Sequence, residues 1–336
     1  MRRLFLAFSL LVVLALVAAG GLWFARARFL AAPVGPPNPG AELFEIRNGE
    51  TFGSVARRLE ASGWTEQSRL LRLEARFQGW DRRVFPGYYS FREGETTREL
   101  MERLASGKIE DTLVTIPEGW RLANVLPLLA ESTKTPASEF ERIASDPAWL
   151  DAQGVPGPGL DGYFLPETYR IPLGQSPERT LEQIVRPATR LWEDSLRTPA
   201  TELGLDRAKL WALASVIEAE AAVAEERTRI SAVFWNRIRR GMKLESDPTV
   251  LFALGRPPGR VLYRDLEVDS PYNTYRYPGI PPGPICAPGR DALWAAVRPE
   301  PGVDDLFFVA RGDGTHVFSK TLSAHNRARI EVRKKR

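Results

Sequence analysis

The chain has little of the material from which metal, thiol or serine chemistry is built. Its 336 residues include one cysteine, Cys286, and two histidines, His316 and His325. A single cysteine excludes an intrachain disulfide. Neither histidine stands in a His-Glu-x-x-His motif or a Cys/His cluster, so no zinc peptidase or amidase, no metal and no cofactor is expected. Gly-x-Ser-x-Gly and Ser-x-x-Lys are missing, which removes the usual serine acylases and penicillin-binding transpeptidases. No Walker loop is present, and no glycine-rich loop stands between a strand and a helix as a dinucleotide fingerprint requires. The net charge is only +4, without a basic stripe, so nucleic acid is not an expected partner. Carboxylates are the chemistry that remains.

What is present suits a globular chain of two to three folded units, with 43% hydrophobic and 26% charged residues. Met1-Arg2-Arg3 precedes an uncharged run from Leu4 to Phe24, 21 residues, ended by Ala25-Arg26-Ala27-Arg28. As a helix that run is roughly 31 Å long and matches the hydrocarbon core of a bilayer. A cleaved signal peptide is the competing reading, since Ala25-Arg26-Ala27 mimics a cleavage site, but its apolar region is usually shorter. Residues 31–40 then form a Pro/Gly tether. The charge bias across the span is balanced; a three-residue tail suggests insertion tail-in, with the bulk of the chain on the far side.

A weak repeat follows: Ile46-Arg47-Asn48-Gly49-Glu50-Thr51, Phe91-Arg92-Glu93-Gly94-Glu95-Thr96 and Ile116-Pro117-Glu118-Gly119-Trp120. Each leads from a strand-like run into a helix-like one, with glycine for the turn and, in the first two, threonine to cap the helix. This is either a common local unit or part of a carbohydrate-binding module. Residues 177–240 read as mostly helical. Asp313-Gly314 between 306–310 and 315–319 signals a hairpin, and 322–333 a terminal helix.

The best-placed carboxylate is Glu218, in the apolar helical stripe of Leu210, Leu213, Ala214, Ile217 and Ala221. Ala214, Ser215, Ala221 and Ala222 leave a hollow beside it, where thinned water favours the neutral form that a general acid needs. Glu220 lies roughly 200° away around the helix, so the two cannot form a simple pair. A solvated, ordinary glutamate is the alternative for Glu218. Asn236, Ser246, Asp247, Thr249, Tyr272, Asn273 and Tyr275 lie in polar and aromatic segments suited to holding sugars. Asp247 reads equally as the cap of a short helix, and 270–284 as a proline-stiffened surface loop. The roles of Glu220 and His316 stay open, a lone histidine being more often structural.

Ala214-Ser215-Val216-Ile217-Glu218-Ala219-Glu220, Val233-Phe234-Trp235-Asn236-Arg237, Gly241 to Val250, Ser270 to Tyr275 and Ile280 to Ile285 occur in that order. Together with Asp161 to Tyr169, Phe307 to Val309, His316 and His325-Asn326, they resemble the endolytic murein transglycosylase (YceG-like) family. Gly49-Glu50-Thr51 resembles the opening of a LysM domain. The resemblance implies an α+β protein: tail 1–3, transmembrane anchor 4–24, linker 25–41, LysM-like subdomain 42–110 and catalytic domain 111–333. It implies a lyase of peptidoglycan in the bacterial inner membrane, with its catalytic domain outside the cytoplasm. Cleavage of MurNAc-β-1,4-GlcNAc would give 1,6-anhydroMurNAc ends and trim nascent strands, with peptidoglycan synthases as partners. The family's catalytic glutamate is expected at Glu218. Asp161 and Glu167 swap the family's usual acidic types, and Ala221 replaces a usual threonine. A hydrolysing muramidase using Asp247, and a membrane-anchored peptidoglycan-binding protein without activity, are the rival readings.

Overall fold

The computed structural model describes residues 2–35, 43–90 and 92–334, with the side chains of Arg2 and Arg3 outside the description. Residues 36–42, most of the Pro/Gly tether, and Phe91 of the second repeat lie outside the described residues. The fold is mixed α+β, opened by a long apolar helix, and divides into two units.

The first unit holds residues 1–112 with 172–175. Helix α1 spans Arg2–Ala31, and its Leu4–Ala31 portion is long and apolar enough to cross a membrane. The helix runs past Phe24 through Ala31, so the first residues of the expected linker are helical. Arg26 and Arg28 end the apolar run but are good helix formers, and propensity carries the helix on. Strand β1 (Leu43–Ile46) pairs antiparallel with β2 (Gly87–Ser90), and between them lie α2 (Phe52–Ala61) and α3 (Ser68–Gln78). Helix α4 (Thr97–Ser106) follows. One core joins Phe44, Ile46, Val55, Leu59, Trp64, Tyr89 and Leu100; a second joins Leu30 of α1 to Phe52, Ala56, Leu71, Ala75 and Met101. Inside this unit Arg103 and Glu95 are both buried and bonded at 2.7 and 2.8 Å.

The repeated glycines all take left-handed φ, at +76° for Gly49 and Gly94 and +73° for Gly119, where a β-carbon is disfavoured. Thr51 caps α2 through Ser54 N–H, and Thr96 forms a capping box with Glu99. The third copy leads into a helix whose cap residue, Arg121, makes no side-chain bond; Asp161 Oδ1 accepts from Leu122 N–H at 2.9 Å instead.

Strands β3 (Asp111–Thr115) and β4 (Thr168–Pro172) form a second two-stranded sheet. The second unit, residues 113–171 and 176–336, carries α5 (Leu122–Thr133), α6 (Ala137–Ala144), α7 (Pro147–Ala152), α8 (Pro177–Leu191) and α9 (Arg197–Glu202). Next come α10 (Arg207–Glu220), α11 (Arg227–Arg239), α12 (Asp247–Ala253) and α13 (Arg290–Val297). The β5 (Phe307–Ala310) and β6 (His316–Ser319) hairpin and α14 (Leu322–Lys334) close the chain. Helix α10 is the centre: every residue from Leu210 to Glu218 is buried, packed on α13, α11 and α12. A helix buried on all sides has no polar stripe to reveal its orientation, so the two glutamates at its end are the informative residues. At Gly162, with φ +75°, a β-carbon would stand 2.5 Å from Pro284 and 2.7 Å from Cys286 O.

Candidate active site

The two glutamates at the end of α10 have different surroundings. Glu218 is gripped: Gly289 N–H donates to its Oε2 at 2.9 Å, and Arg227 Nη2 donates to its Oε1 at 3.1 Å. Its side chain is only 6% exposed. The same Arg227 nitrogen donates to Glu118 Oε2 at 3.0 Å, so one guanidinium bridges two carboxylates. Burial first, then the negative charge of Glu218, raises the Glu118 carboxyl above its ordinary value. For Arg227 burial alone would lower the pKa, but Glu218 and Glu118 outweigh it and the net shift is upward. A β-carbon on Gly289 would stand 2.1 Å from Glu118 Oε1 and 3.1 Å from Glu218 Oε2. Glycine is required there by space, not by φ.

Glu220 faces an open cleft of about 670 Å³, also lined by Asp247, Tyr275, Phe307, His316 and His325. Its Oε1 accepts from the buried Ser246 hydroxyl at 2.6 Å. The residue keeps some exposed surface where it lines the cleft, and the rest of it packs against protein. Burial pushes that carboxyl up to about 7; the Ser246 hydrogen bond opposes the rise, the Asp247 charge adds to it, and Arg237 opposes it. A group of that pKa is divided between acid and base near neutrality, the condition for donating and then accepting a proton.

The cleft wall is built by Arg237 of α11. Its Nε donates to Leu306 O at 2.7 Å, and its Nη1 to Lys243 O, Leu244 O and Glu245 Oε2, each at 3.0 Å. This buried guanidinium ties the loop before Ser246 to the strand side of the unit. Glu245 next to it has φ +52°, a conformation uncommon for a residue with a β-carbon and one that concentrates at functional sites. His316 is oriented by Glu226, whose Oε2 lies 2.6 Å from Nδ1 and whose Oε1 accepts the backbone N–H at 3.0 Å.

Of the residues read as sugar-binding, Ser246, Asp247 and Tyr275 gather around Glu220. Tyr275 Oη donates to Asp247 Oδ1 at 2.6 Å. Asp247 is not the cap of α12; Ser246 stands at the cap position, and Asp247 occupies the first turn, where its charge suits the helix N-terminus. Tyr272 packs on Phe252 with ring centroids 4.7 Å apart. Asn236, Thr249 and Asn273 are committed to the scaffold. Asn236 Nδ2 donates to Val303 O and Asp305 O at 2.8 and 3.0 Å. Asn273 donates to Leu266 O and Val268 O at 2.9 and 2.8 Å. Thr249, wholly buried, donates to Ser246 O at 2.6 Å. Among the described residues there is no group of three or more His, Cys, Asp or Glu side chains able to hold a metal ion. Sequence reasoning missed Glu118, Arg227, Gly289 and Arg237 as parts of the site.

Known proteins resemble this chain over most of its length. It is 29% identical over 91% of its length to the endolytic murein transglycosylase of Bacillus subtilis, covering 89% of that protein. It is 26% identical over 95% of its length to the protein of that name from Streptococcus pneumoniae strain D39, but spans only 63% of that longer relative. The crystal structure of a YceG-like protein from Listeria monocytogenes superposes with a TM-score of 0.60 at 29% identity, covering 85% of this chain and 97% of that one. The profile of the YceG-like family matches residues 44–331, and the chain belongs to that family.

Proposed function

We propose that this chain is a membrane-anchored endolytic murein transglycosylase, and that Glu220 is the carboxyl group that breaks the glycan strand. The supporting observation is a carboxyl raised by burial to about 7 on the wall of a cleft of about 670 Å³. Relatives that match most of this chain carry the name of that activity. The proposed acid therefore moves from Glu218 to Glu220. Both Glu218 oxygens are already engaged, by Arg227 and by Gly289 N–H, so neither is free to meet the glycosidic oxygen of a sugar.

In this reading protonated Glu220 gives its proton to the glycosidic oxygen between N-acetylmuramic acid and N-acetylglucosamine. The C1–O4 bond breaks and the hydroxyl leaves on the N-acetylglucosamine side. The muramoyl C6 hydroxyl attacks C1, and its proton passes to the Glu220 carboxylate, restoring the acid. The products are a 1,6-anhydro end and a free 4-hydroxyl, with no water consumed. One carboxyl suffices because the nucleophile belongs to the substrate, an intramolecular arrangement that replaces the second carboxylate of a hydrolase. Ser246 holds Glu220, and Tyr275 holds Asp247 at the cleft. Glu218, with Arg227 and Glu118, fixes the last turn of α10 from which Glu220 projects.

The anchor reading places the chain in the bacterial inner membrane with the catalytic unit outside the cytoplasm. Cleavage after Ala27 would remove Arg26, which makes two bonds to Glu74, so retention of α1 suits the fold better than a signal peptide. The first unit is read as a glycan-holding module, supported by the LysM-like Gly49-Glu50-Thr51 turn. Trimming of nascent strands beside peptidoglycan synthases completes the proposal. The test is digestion of purified sacculi by the full chain. Glu220→Gln should lower the rate by about 10²–10⁴-fold, the usual contribution of a general acid. Wild-type rate in that variant would remove Glu220 from the mechanism, and an inert wild type would favour a binding protein.

A further inference from the structure

The first unit carries an exposed apolar strip that the proposed chemistry does not use. In α3, Leu70, Leu73 and Phe77 are 40, 66 and 76% exposed. At about 100° per residue they fall within roughly 60° of one another on the helix surface. Arg69, Arg72 and Arg76, also exposed, form an adjoining basic strip. The opposite face, with Leu71 and Ala75, is buried in the core that also holds Leu30 of α1. An apolar strip, a basic strip beside it and a buried back is the pattern of a helix lying on a lipid surface.

The position of α3 along α1 supplies the second argument. If Leu4–Phe24 fills the hydrocarbon core, Arg26 stands about 3 Å beyond it, inside a headgroup layer roughly 5–7 Å deep. Trp23 and Phe24, 69 and 65% exposed, sit where aromatic side chains favour the membrane boundary. Arg26 is bound to α3 itself: its Nε and Nη2 reach Glu74 at 2.8 and 2.6 Å, and its guanidinium lies 5.2 Å from the centre of the Phe77 ring. Whatever depth Arg26 has, α3 shares to within one side chain. Leu30, 3% exposed, locks the same helix end into the core of the unit, so α3 cannot swing away from α1 without unpacking that core.

We propose that α3 is a second membrane contact: Leu70, Leu73 and Phe77 enter the boundary between headgroups and acyl chains, and Arg69, Arg72 and Arg76 meet lipid phosphates. The proposal rests on the reading of α1 as a retained anchor. It would hold the first unit flat against the bilayer, rather than leaving it free on a tether.

The test uses the full chain in nanodiscs of phosphatidylcholine and phosphatidylglycerol, with a spin label at Phe77→Cys, at Leu73→Cys or, as a control, at Ala61→Cys, an exposed position at the end of α2. Cys286 is buried, and labelling of the wild type measures its background. Labels at 73 and 77 should be accessible to oxygen and shielded from an aqueous nickel chelate, and the label at 61 should show the reverse. Nickel accessibility at both 73 and 77 equal to that at 61, in protein that co-elutes with the discs, overturns the membrane contact while leaving the anchor intact. Protein that elutes apart from the discs overturns both.

Discussion

Replacing Glu220 by glutamine should flatten the dependence of stability on pH. In the folded chain this carboxyl is raised from 4.5 to about 7, so between those values the native state binds more protons than the unfolded state. The sign follows: the group costs no stability below about pH 4.5, and stability is lost as pH rises through about 7. At about 1.4 kcal/mol per pH unit the whole interval corresponds to about 3.5 kcal/mol, a ceiling that partial exposure of the residue reduces to about 2 kcal/mol. Glutamine is nearly isosteric, keeps an oxygen to accept the Ser246 hydrogen bond, and cannot ionise. The assay is urea unfolding of detergent-solubilised full chain, wild type against Glu220→Gln, followed by tryptophan fluorescence from pH 4.5 to 8.5. Taking the difference removes the contributions of titrating groups that do not interact with Glu220. The variant should gain about 2 kcal/mol relative to wild type across that range. Parallel curves, with a difference constant to within about 0.5 kcal/mol, would refute the enclosed-carboxyl reasoning.

Glu218→Gln should behave differently, because it weakens a clamp rather than the cleft: the melting temperature falls, while the pH profile of remaining activity keeps its basic limb. A loss of activity as deep as that of Glu220→Gln, in a variant with unchanged melting temperature, would return the chemistry to Glu218. Gly289→Ala should destabilise by about 1–3 kcal/mol, since its β-carbon would overlap Glu118, and chemical denaturation reads this directly. Activity on soluble glycan strands should decline as pH rises through about 7, where Glu220 loses its proton. A rate that still climbs at pH 9 would contradict that assignment.

Much of this architecture is legible in the sequence because it is local. The Asp313-Gly314 turn predicts the β5–β6 hairpin, and the Gly-x-Thr turns predict the starts of α2 and α4 through φ and capping alone. The angular separation of Glu218 and Glu220 was also legible, but not which of them faces open space. Two facts hide that. Small neighbours at Ala214, Ser215, Ala221 and Ala222 suggest a hollow, but the space beside Glu218 is taken by Arg227, Glu118 and the Gly289 backbone, from distant parts of the chain. Polar residues look alike in sequence whether they bind sugars or satisfy main-chain carbonyls, as Asn236 and Thr249 do from helices and Asn273 does from a loop. Arg237 illustrates the same limit, since apart from Glu245 its partners are main-chain oxygens that leave no mark on the sequence.

The central claim is cleavage without water by one carboxyl group, and mass spectrometry of the glycan ends released from sacculi tests it most directly. In ¹⁸O-labelled water the account predicts 1,6-anhydromuramoyl ends that carry no label, formed by the wild type and not by Glu220→Gln. Reducing ends carrying one ¹⁸O would contradict it, and would point instead to a hydrolase in which Asp247 activates water.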